Sequence, residues 1–282
     1  MPLVPTAELV DRARAAGGGV AAFNVITLEH AEAIAAGAEA AGVPAILQVS
    51  ENAVRFHGGL VAIAAAARSV AQASSAELSL HLDHVVSEGL LKAAQHTGFS
   101  SVMFDASKLP YGENVKATAA AVRWGHARGI WVEAELGRVG GKAGEAPLDA
   151  HAPGVRTDPV EASTYVAETG VDALAVAVGS THAMVERTAA LDHGLIARLR
   201  DAVPVPLVLH GSSGVPDEEI ARAVAAGMVK INVGTALNTA FTGAVRDWLD
   251  ANPAGVDPRK YLVPAREGMA GTVERFLRVV AG

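Results

Sequence analysis

The chain has 282 residues, half of them hydrophobic and few aromatic, which is ample for one large core or two smaller ones. A net charge of −7, with no dense run of lysine and arginine, argues against a nucleic-acid partner. There is no cysteine, which excludes disulfides and thiolate metal sites, so any metal would need histidine and carboxylate ligands. The first ten residues lack a basic stretch followed by an apolar one, and the longest apolar runs are far too short to span a bilayer. A soluble cytoplasmic protein with no membrane partner is the expectation.

Short runs rich in valine, isoleucine and leucine occupy residues 20–25, 45–49, 78–82, 101–105, 130–136, 173–178, 207–210 and 229–233. Each is of strand length, and most are bounded by Gly, Pro or Ser. Helical patterns fill the gaps. The first, 28–41, ends at Gly42-Val43-Pro44, a stop signal. Others cover 60–73, 88–96, 114–127, 159–168, 195–202 and 216–226, with Pro159 and Pro216 read as first-turn prolines. Residues 235–249 follow the eighth run, and an amphipathic stretch at 258–280 closes the chain.

Eight strand-then-helix units with short connections predict a single-domain (β/α)8 TIM barrel spanning residues 1–282. An open doubly wound sheet would ordinarily show fewer strands and a Gly-x-Gly-x-x-Gly turn after the first, and AFNV (22–25) is followed by no such turn. One connection is abnormal. Residues 137–158, GRVGGKAGEAPLDAHAPGVRTD, are too polar and glycine-rich for a helix and too long for an ordinary loop. Following a strand, they are expected to form a flexible lid on the catalytic face.

Polar residues recur at the same end of all eight runs. They are Asn24, Ser50, Asp83 with His84, Asp105, Glu133 with Glu135, His182, His210 and Asn232. Chance scattering would also place such residues mid-strand. Three of these ends carry a histidine, His84, His182 and His210. A lone histidine is ordinarily just a hydrogen-bonded side chain, but three imidazoles converging beside carboxylates suit a divalent metal such as zinc. His81 shares the face of Asp83 but lies deeper, a packing or supporting residue. Glu133 and Glu135 project to one side of their strand and require cations, a metal or a lysine, to coexist. The turns Gly211-Ser212-Ser213-Gly214 and Asn232-Val233-Gly234-Thr235 follow the seventh and eighth runs, where barrels commonly hold phosphate on backbone N–H groups and a helix N-terminus.

The segments HLDHV (81–85), SVMFDAS (101–107), VEAELGRVGG (132–141), DALAVAVGSTH (172–182), LVLHGSSG (207–214), KINVGTAL (230–237) and DPRKYL (257–262), with AFNV, span nearly the whole chain in order. On them the chain resembles the class II, metal-dependent ketose-bisphosphate aldolases, which act on fructose- and tagatose-1,6-bisphosphate. The resemblance implies a catalytic Zn2+ on His84, His182 and His210, with Asp83 as the acid/base on the aldehyde-side oxygen. It implies Asp105 and Glu135 at a second or alternative divalent site. It also implies that Gly211, Ser213, Asn232 and Thr235, with nearby backbone, hold the phosphate and hydroxyls of a sugar phosphate substrate; Asn24, Ser50, Ala183, Ser212, Val233 and Gly234, at the same strand ends and turns, are expected to meet it too. A monovalent cation, Na+ or K+, near the phosphate and a homodimer or homotetramer are implied as well.

Lys230 is the candidate for a rival Schiff-base mechanism. The same barrel could also serve a metal-dependent phosphatase or a non-catalytic aldolase partner subunit. Two positions depart from the family. Ala183 stands where the family has glycine, a cost wherever the backbone needs positive φ. The lid glutamate that moves a dihydroxyacetone phosphate proton is replaced by Lys142-Ala143, with Glu145 two residues on as the substitute.

Overall fold

In the computed structural model, residues 3–137, 139–140 and 155–282 are described. Eight parallel strands close in sequence order into a barrel, β1 pairing with both β2 and β8. They are β1 (Val20–Asn24), β2 (Ala45–Ser50), β3 (Leu78–Val85), β4 (Ser101–Phe104), β5 (Trp131–Leu136), β6 (Ala173–Val176), β7 (Leu207–Leu209) and β8 (Met228–Val233). The helices are α1 (Thr6–Ala15), α2 (Leu28–Ala41), α3 (Glu51–Phe56), α4 (Leu60–Ala73), α5 (Glu88–Ala94), α6 (Tyr111–His126), α7 (Pro159–Thr169), α8 (His193–Ala202), α9 (Asp217–Ala226), α10 (Thr235–Ala251) and α11 (Pro258–Ala281). The expected single-domain (β/α)8 barrel is the fold. Among the described residues no helix is long and apolar enough to cross a membrane.

Local chemistry sets most boundaries. Gly42 and Gly170 end α2 and α7 in the left-handed conformation, which glycine adopts without steric cost. The Asp158 carboxylate accepts the Val160 and Glu161 N–H groups ahead of α7, where Pro159 sits in the first turn as expected. Pro216 does not repeat that pattern. It is the N-cap, its φ of −56° paired with an extended ψ of 153°, and α9 begins one residue later. Two helices escape the sequence reading. α1 has a short apolar stripe, Leu9 and Val10, and α3 is a six-residue helix capped by the Ser50 hydroxyl accepting from Ala53 N–H at 3.2 Å.

The outward faces of the strands and the inner faces of the helices form one continuous apolar core, from Phe23 and Leu47 to Leu209 and Ile231. The space inside the ring is different. At its floor, α1 lays Thr6 against Ser79 (3.2 Å) and Ser101 (2.6 Å), and Ser101 bonds His81 Nδ1 at 2.8 Å. Above lie His81, Glu133 and Lys230, all fully buried, and Gln48, Asp83 and Glu135, nearly so. A polar column thus runs up the barrel axis towards the C-terminal mouth.

Candidate active site

β3 brings the two neighbours Asp83 and His84 to the same space. Successive strand residues ordinarily face opposite ways. Here the β3–β4 register shifts between Leu82 and Val85, and His84 takes φ +49°. This bulge turns the imidazole inward, so that His84 Nε2 lies 4.0 Å from Asp83 Oδ2. A histidine at positive φ is uncommon, and such strain persists where the surrounding structure enforces it.

Three imidazoles meet at the mouth. One ring nitrogen from each of His84, His182 and His210 lies within 4.8 Å of the others, and His84 Nε2 stands 3.2 Å from His210 Nδ1. Two nitrogens on one tetrahedral zinc at about 2.0–2.1 Å would be about 3.3 Å apart, so the donor set fits that ion. The opposite ring nitrogens of two of them are held by carboxylates. His84 Nδ1 is 2.9 Å from Asp105 Oδ2, and His210 Nε2 is 3.0 Å from Glu133 Oε1. At His84 the carboxylate draws the ring proton to its own side, leaving the lone pair of the far nitrogen towards the centre, whereas His210 Nε2 faces both Glu133 and the Asn232 amide nitrogen, 3.1 Å away. His182 is placed by its backbone N–H, which donates to Gly140 O at 2.7 Å.

Among the carboxylates, Asp105 also accepts from the Ser107 N–H and hydroxyl at 3.1 and 2.6 Å. Glu135 Oε2 is 3.8 Å from His210 Nδ1. Asp83 is buried with no hydrogen-bond partner on Oδ1. Burial holds its carboxyl above the ordinary aspartate range, opposed by His84 and Lys230. His81 is neutral, its pKa pushed well down by burial first and by Lys230 next. Lys230 has its ammonium 2.9 Å from Glu133 Oε2 and 2.7 Å from Asn232 Oδ1. A Schiff-base nucleophile must be a neutral, accessible amine, and this one is ion-paired and fully buried.

A cavity of about 410 Å³ opens over these groups. Asp83, His84, Asp105, His182 and Ala183 line it on one side. Gly211, Ser213, Asn232, Gly234 and Thr235, with Asn24 and Ser50, line it on the others. Ser212 and Val233 do not. The Ser212 hydroxyl is buried and donates to Leu209 O at 3.2 Å, and the Val233 side chain belongs to the apolar core. The Ser213 hydroxyl accepts from Gly234 N–H at 3.3 Å and Ala236 N–H at 3.0 Å, sitting at the N-terminus of α10.

Ala183 has φ +59°, the conformation that favours glycine. A left-handed alanine costs about 1–2 kcal/mol, partly offset because glycine loses about 0.4–1 kcal/mol more chain entropy on folding. Ala183→Gly is therefore expected to raise stability by about 0.5 kcal/mol in urea melts, whereas Gly211→Ala lowers it by about 2 kcal/mol or more. At Gly211 φ is +70° and an added Cβ would stand 2.5 Å from Thr181 O.

The segment at 137–158 is fastened at both described ends. Gly140 receives His182 N–H, and the Thr157 hydroxyl donates to Leu136 O at 2.6 Å while accepting from Ala177 N–H at 2.8 Å. The rest of that expected lid, Glu145 included, lies outside the described residues.

The sequence pattern of fructose-bisphosphate aldolase class-II matches residues 4–282. The chain belongs to this family. It is 41% identical over 275 residues to a fructose-bisphosphate aldolase of Geobacillus stearothermophilus, covering 97% of this chain and 95% of that protein. Among solved structures, the YdjI aldolase of Escherichia coli K12 is 30% identical with a TM-score of 0.84, over 99% of this chain and 97% of that one. Fructose-bisphosphate aldolase of Campylobacter jejuni shares the fold at 24% identity and a TM-score of 0.83, over 99% and 95%. A member of the class-II aldolases, the chain is an aldolase, a carbon–carbon lyase of carbohydrate metabolism.

Among the residues of this aldolase's cavity that were absent from the sequence-based site are Gln48, Glu51, Asn52, Lys108 and Asn238. Gln48 is the one with a signal, an amide inside an otherwise apolar strand. Glu51 and Asn52 sit on the unexpected α3, and Asn238 one turn into α10.

Proposed function

We propose that this aldolase reversibly cleaves a ketose 1-phosphate or 1,6-bisphosphate, of the fructose- or tagatose-1,6-bisphosphate kind, to dihydroxyacetone phosphate and an aldehyde. The observation that carries the reading is the convergence of His84, His182 and His210 at the cavity beside the partnerless Oδ1 of Asp83. The three imidazoles would hold a divalent ion, zinc by their chemistry. When bound, that ion supplies Lewis acidity for the charge left on the ketone side as the bond breaks.

The remaining steps belong to the chain. Asp83 takes the proton of the hydroxyl beside the breaking bond and returns it on condensation. Asp105 orients His84; with Glu135 it is also the proposed contact of a second divalent ion. Gly211, Ser213, Gly234 and Thr235, at the positive end of the α10 dipole, hold the phosphate, with Asn24, Ser50 and Asn232 towards the hydroxyls. Glu145 is the proposed carrier of the dihydroxyacetone phosphate proton. A monovalent cation, Na+ or K+, and a homodimer or homotetramer complete the reading on family grounds.

The tail of the substrate is addressed by topology. β3 and β7 stand four strands apart in either direction round the ring. A ketose whose phosphate lies by β7 and β8 extends across the histidines towards β3, which is flanked by Arg55 and Lys108 on the cavity wall. Arg55 is steadied by Glu51 at 2.5 Å, and Glu51 also accepts from Val86 N–H at 2.7 Å. Charged hydrogen bonds are worth about 1.5–3 kcal/mol, so an anionic tail should raise kcat/KM about tenfold or more over a neutral one. A retro-aldol panel of bisphosphates, 1-phosphates and a sulfonate analogue, coupled to triose phosphate detection, measures this. Release of inorganic phosphate with no triose phosphate would overturn the whole reading.

A further inference from the structure

The chain contains no cysteine, so its oxidisable sulfur is all methionine. Met103, Met228 and Met269 are fully buried, and Met1 lies outside the described residues. Met184 differs. It is partly exposed, in the loop between β6 and α8 that carries His182, and it packs against the apolar core. Its side chain covers Gly214, the last residue of the turn after β7, so closely that a Cβ added there would stand 2.7 Å from Met184 Sδ. Hydrogen bonds join the same loop to the same turn. The Ser180 hydroxyl donates to His210 O at 2.6 Å, Ala189 N–H to Gly214 O at 2.9 Å, and Arg187 to Val215 O at 3.0 Å. Among these links, Met184 supplies the oxidisable one.

We propose that Met184 is a site of reversible oxidation, at which hydrogen peroxide forms the sulfoxide and so loosens the turn proposed to hold phosphate. A lone pair on Sδ attacks the peroxide, the O–O bond breaks, and one oxygen stays on sulfur. The other leaves as water with both protons, so the thioether is oxidised by two electrons and the peroxide reduced. The sulfoxide is polar where the thioether was apolar. Gly214 N–H is already turned to Gly211 O at 3.4 Å, so the new oxygen finds its hydrogen bonds in water, outside the contact. Gly211 and Ser213 of that turn line the cavity, and the Ser213 hydroxyl links it to Gly234 and Ala236. Loss of the Met184 contact is therefore felt at the phosphate rather than at the bond that breaks. The Arg187 and Ala189 links involve no sulfur, which keeps the effect partial and reversible. The effect on turnover rests on the proposed phosphate reading of this turn; the chemistry at sulfur does not.

The test treats the full-length protein with hydrogen peroxide and locates the added oxygen by peptide mass spectrometry. Met184 is expected to be oxidised ahead of Met103, Met228 and Met269. Against its own untreated sample, the oxidised protein should show a KM for fructose 1,6-bisphosphate about tenfold higher, with kcat within about twofold. Its melting temperature should fall by a few degrees. Methionine sulfoxide reductase with a thiol reductant should restore both values. Met184→Leu, which keeps an apolar contact without the sulfur, should hold its own KM and melting temperature through the same treatment. Oxidation that falls first on another methionine overturns the proposal. So does full oxidation of Met184 with KM and melting temperature unchanged, or a loss in Met184→Leu as large as in the parent. A parent that cleaves no ketose phosphate overturns the functional reading instead, and the mass spectrum and melting temperature still decide the site.

Discussion

Removal of the metal is expected to abolish cleavage, by a factor of about a thousand or more. A chelator should achieve it reversibly in the parent protein, and His84→Ala irreversibly. The reason lies in what else the described part of the cavity offers to the electron pair of the breaking bond. Lys230 is fully buried and bound to Glu133, so it cannot form a Schiff base. Arg55 and Lys108 sit on the cavity wall where the substrate tail would lie. Several kcal/mol of Lewis-acid stabilisation then has no substitute, and about 4 kcal/mol is already a thousandfold in rate. His84 is partly exposed and at φ +49°, so His84→Asn, which tolerates that backbone, is the folded control. Full turnover in excess chelator, with no metal found by elemental analysis, would sink the metal-dependent mechanism.

Asp83→Asn is expected to lower kcat by about 100- to 10,000-fold while leaving zinc stoichiometry at the parent value. The amide preserves volume in a buried position but cannot take a proton. The split between rate and metal content separates Asp83 from its neighbour, which lies one residue away in sequence and 4.0 Å away in space. If Asp83→Asn loses zinc and rate together, the carboxylate serves the metal and the proton carrier lies elsewhere. Exchange of the dihydroxyacetone phosphate proton with solvent, measured on the same variant, should persist, since that step is assigned to a different carboxylate.

The barrel was legible because its signal is redundant. Eight apolar runs, each ending in a polar residue, constrain one another in a way no single run does. The three histidines were legible for the same reason. What escaped depended on geometry with no local sequence mark. The bulge in β3 carries Asp83 and His84 inside the strand, although the apolar run stops at Leu82. Ser212 and Val233 belong to the expected phosphate loops, yet the turn around Gly211 directs Ser212 away from the cavity and Val233 faces the core. Glu133 and Glu135 were expected to need cations. That they divide, one to Lys230 and His210 Nε2, the other towards His210 Nδ1, follows from where β8 stands across the ring from β5.

The ring order has one more consequence. His182 and His210 follow neighbouring strands, β6 and β7, but His84 comes from β3, three strands before β6 and four from β7 by either way round. A half-barrel of β1 to β4 holds a single donor, and one of β5 to β8 holds two. The complete donor set exists only after the two halves have met. An ion bound there acts as a clasp across the seam, and by mass action it would stabilise the closed ring by about 4 kcal/mol at a free concentration a thousand times its dissociation constant. Metal content would then measure barrel closure as well as catalytic competence.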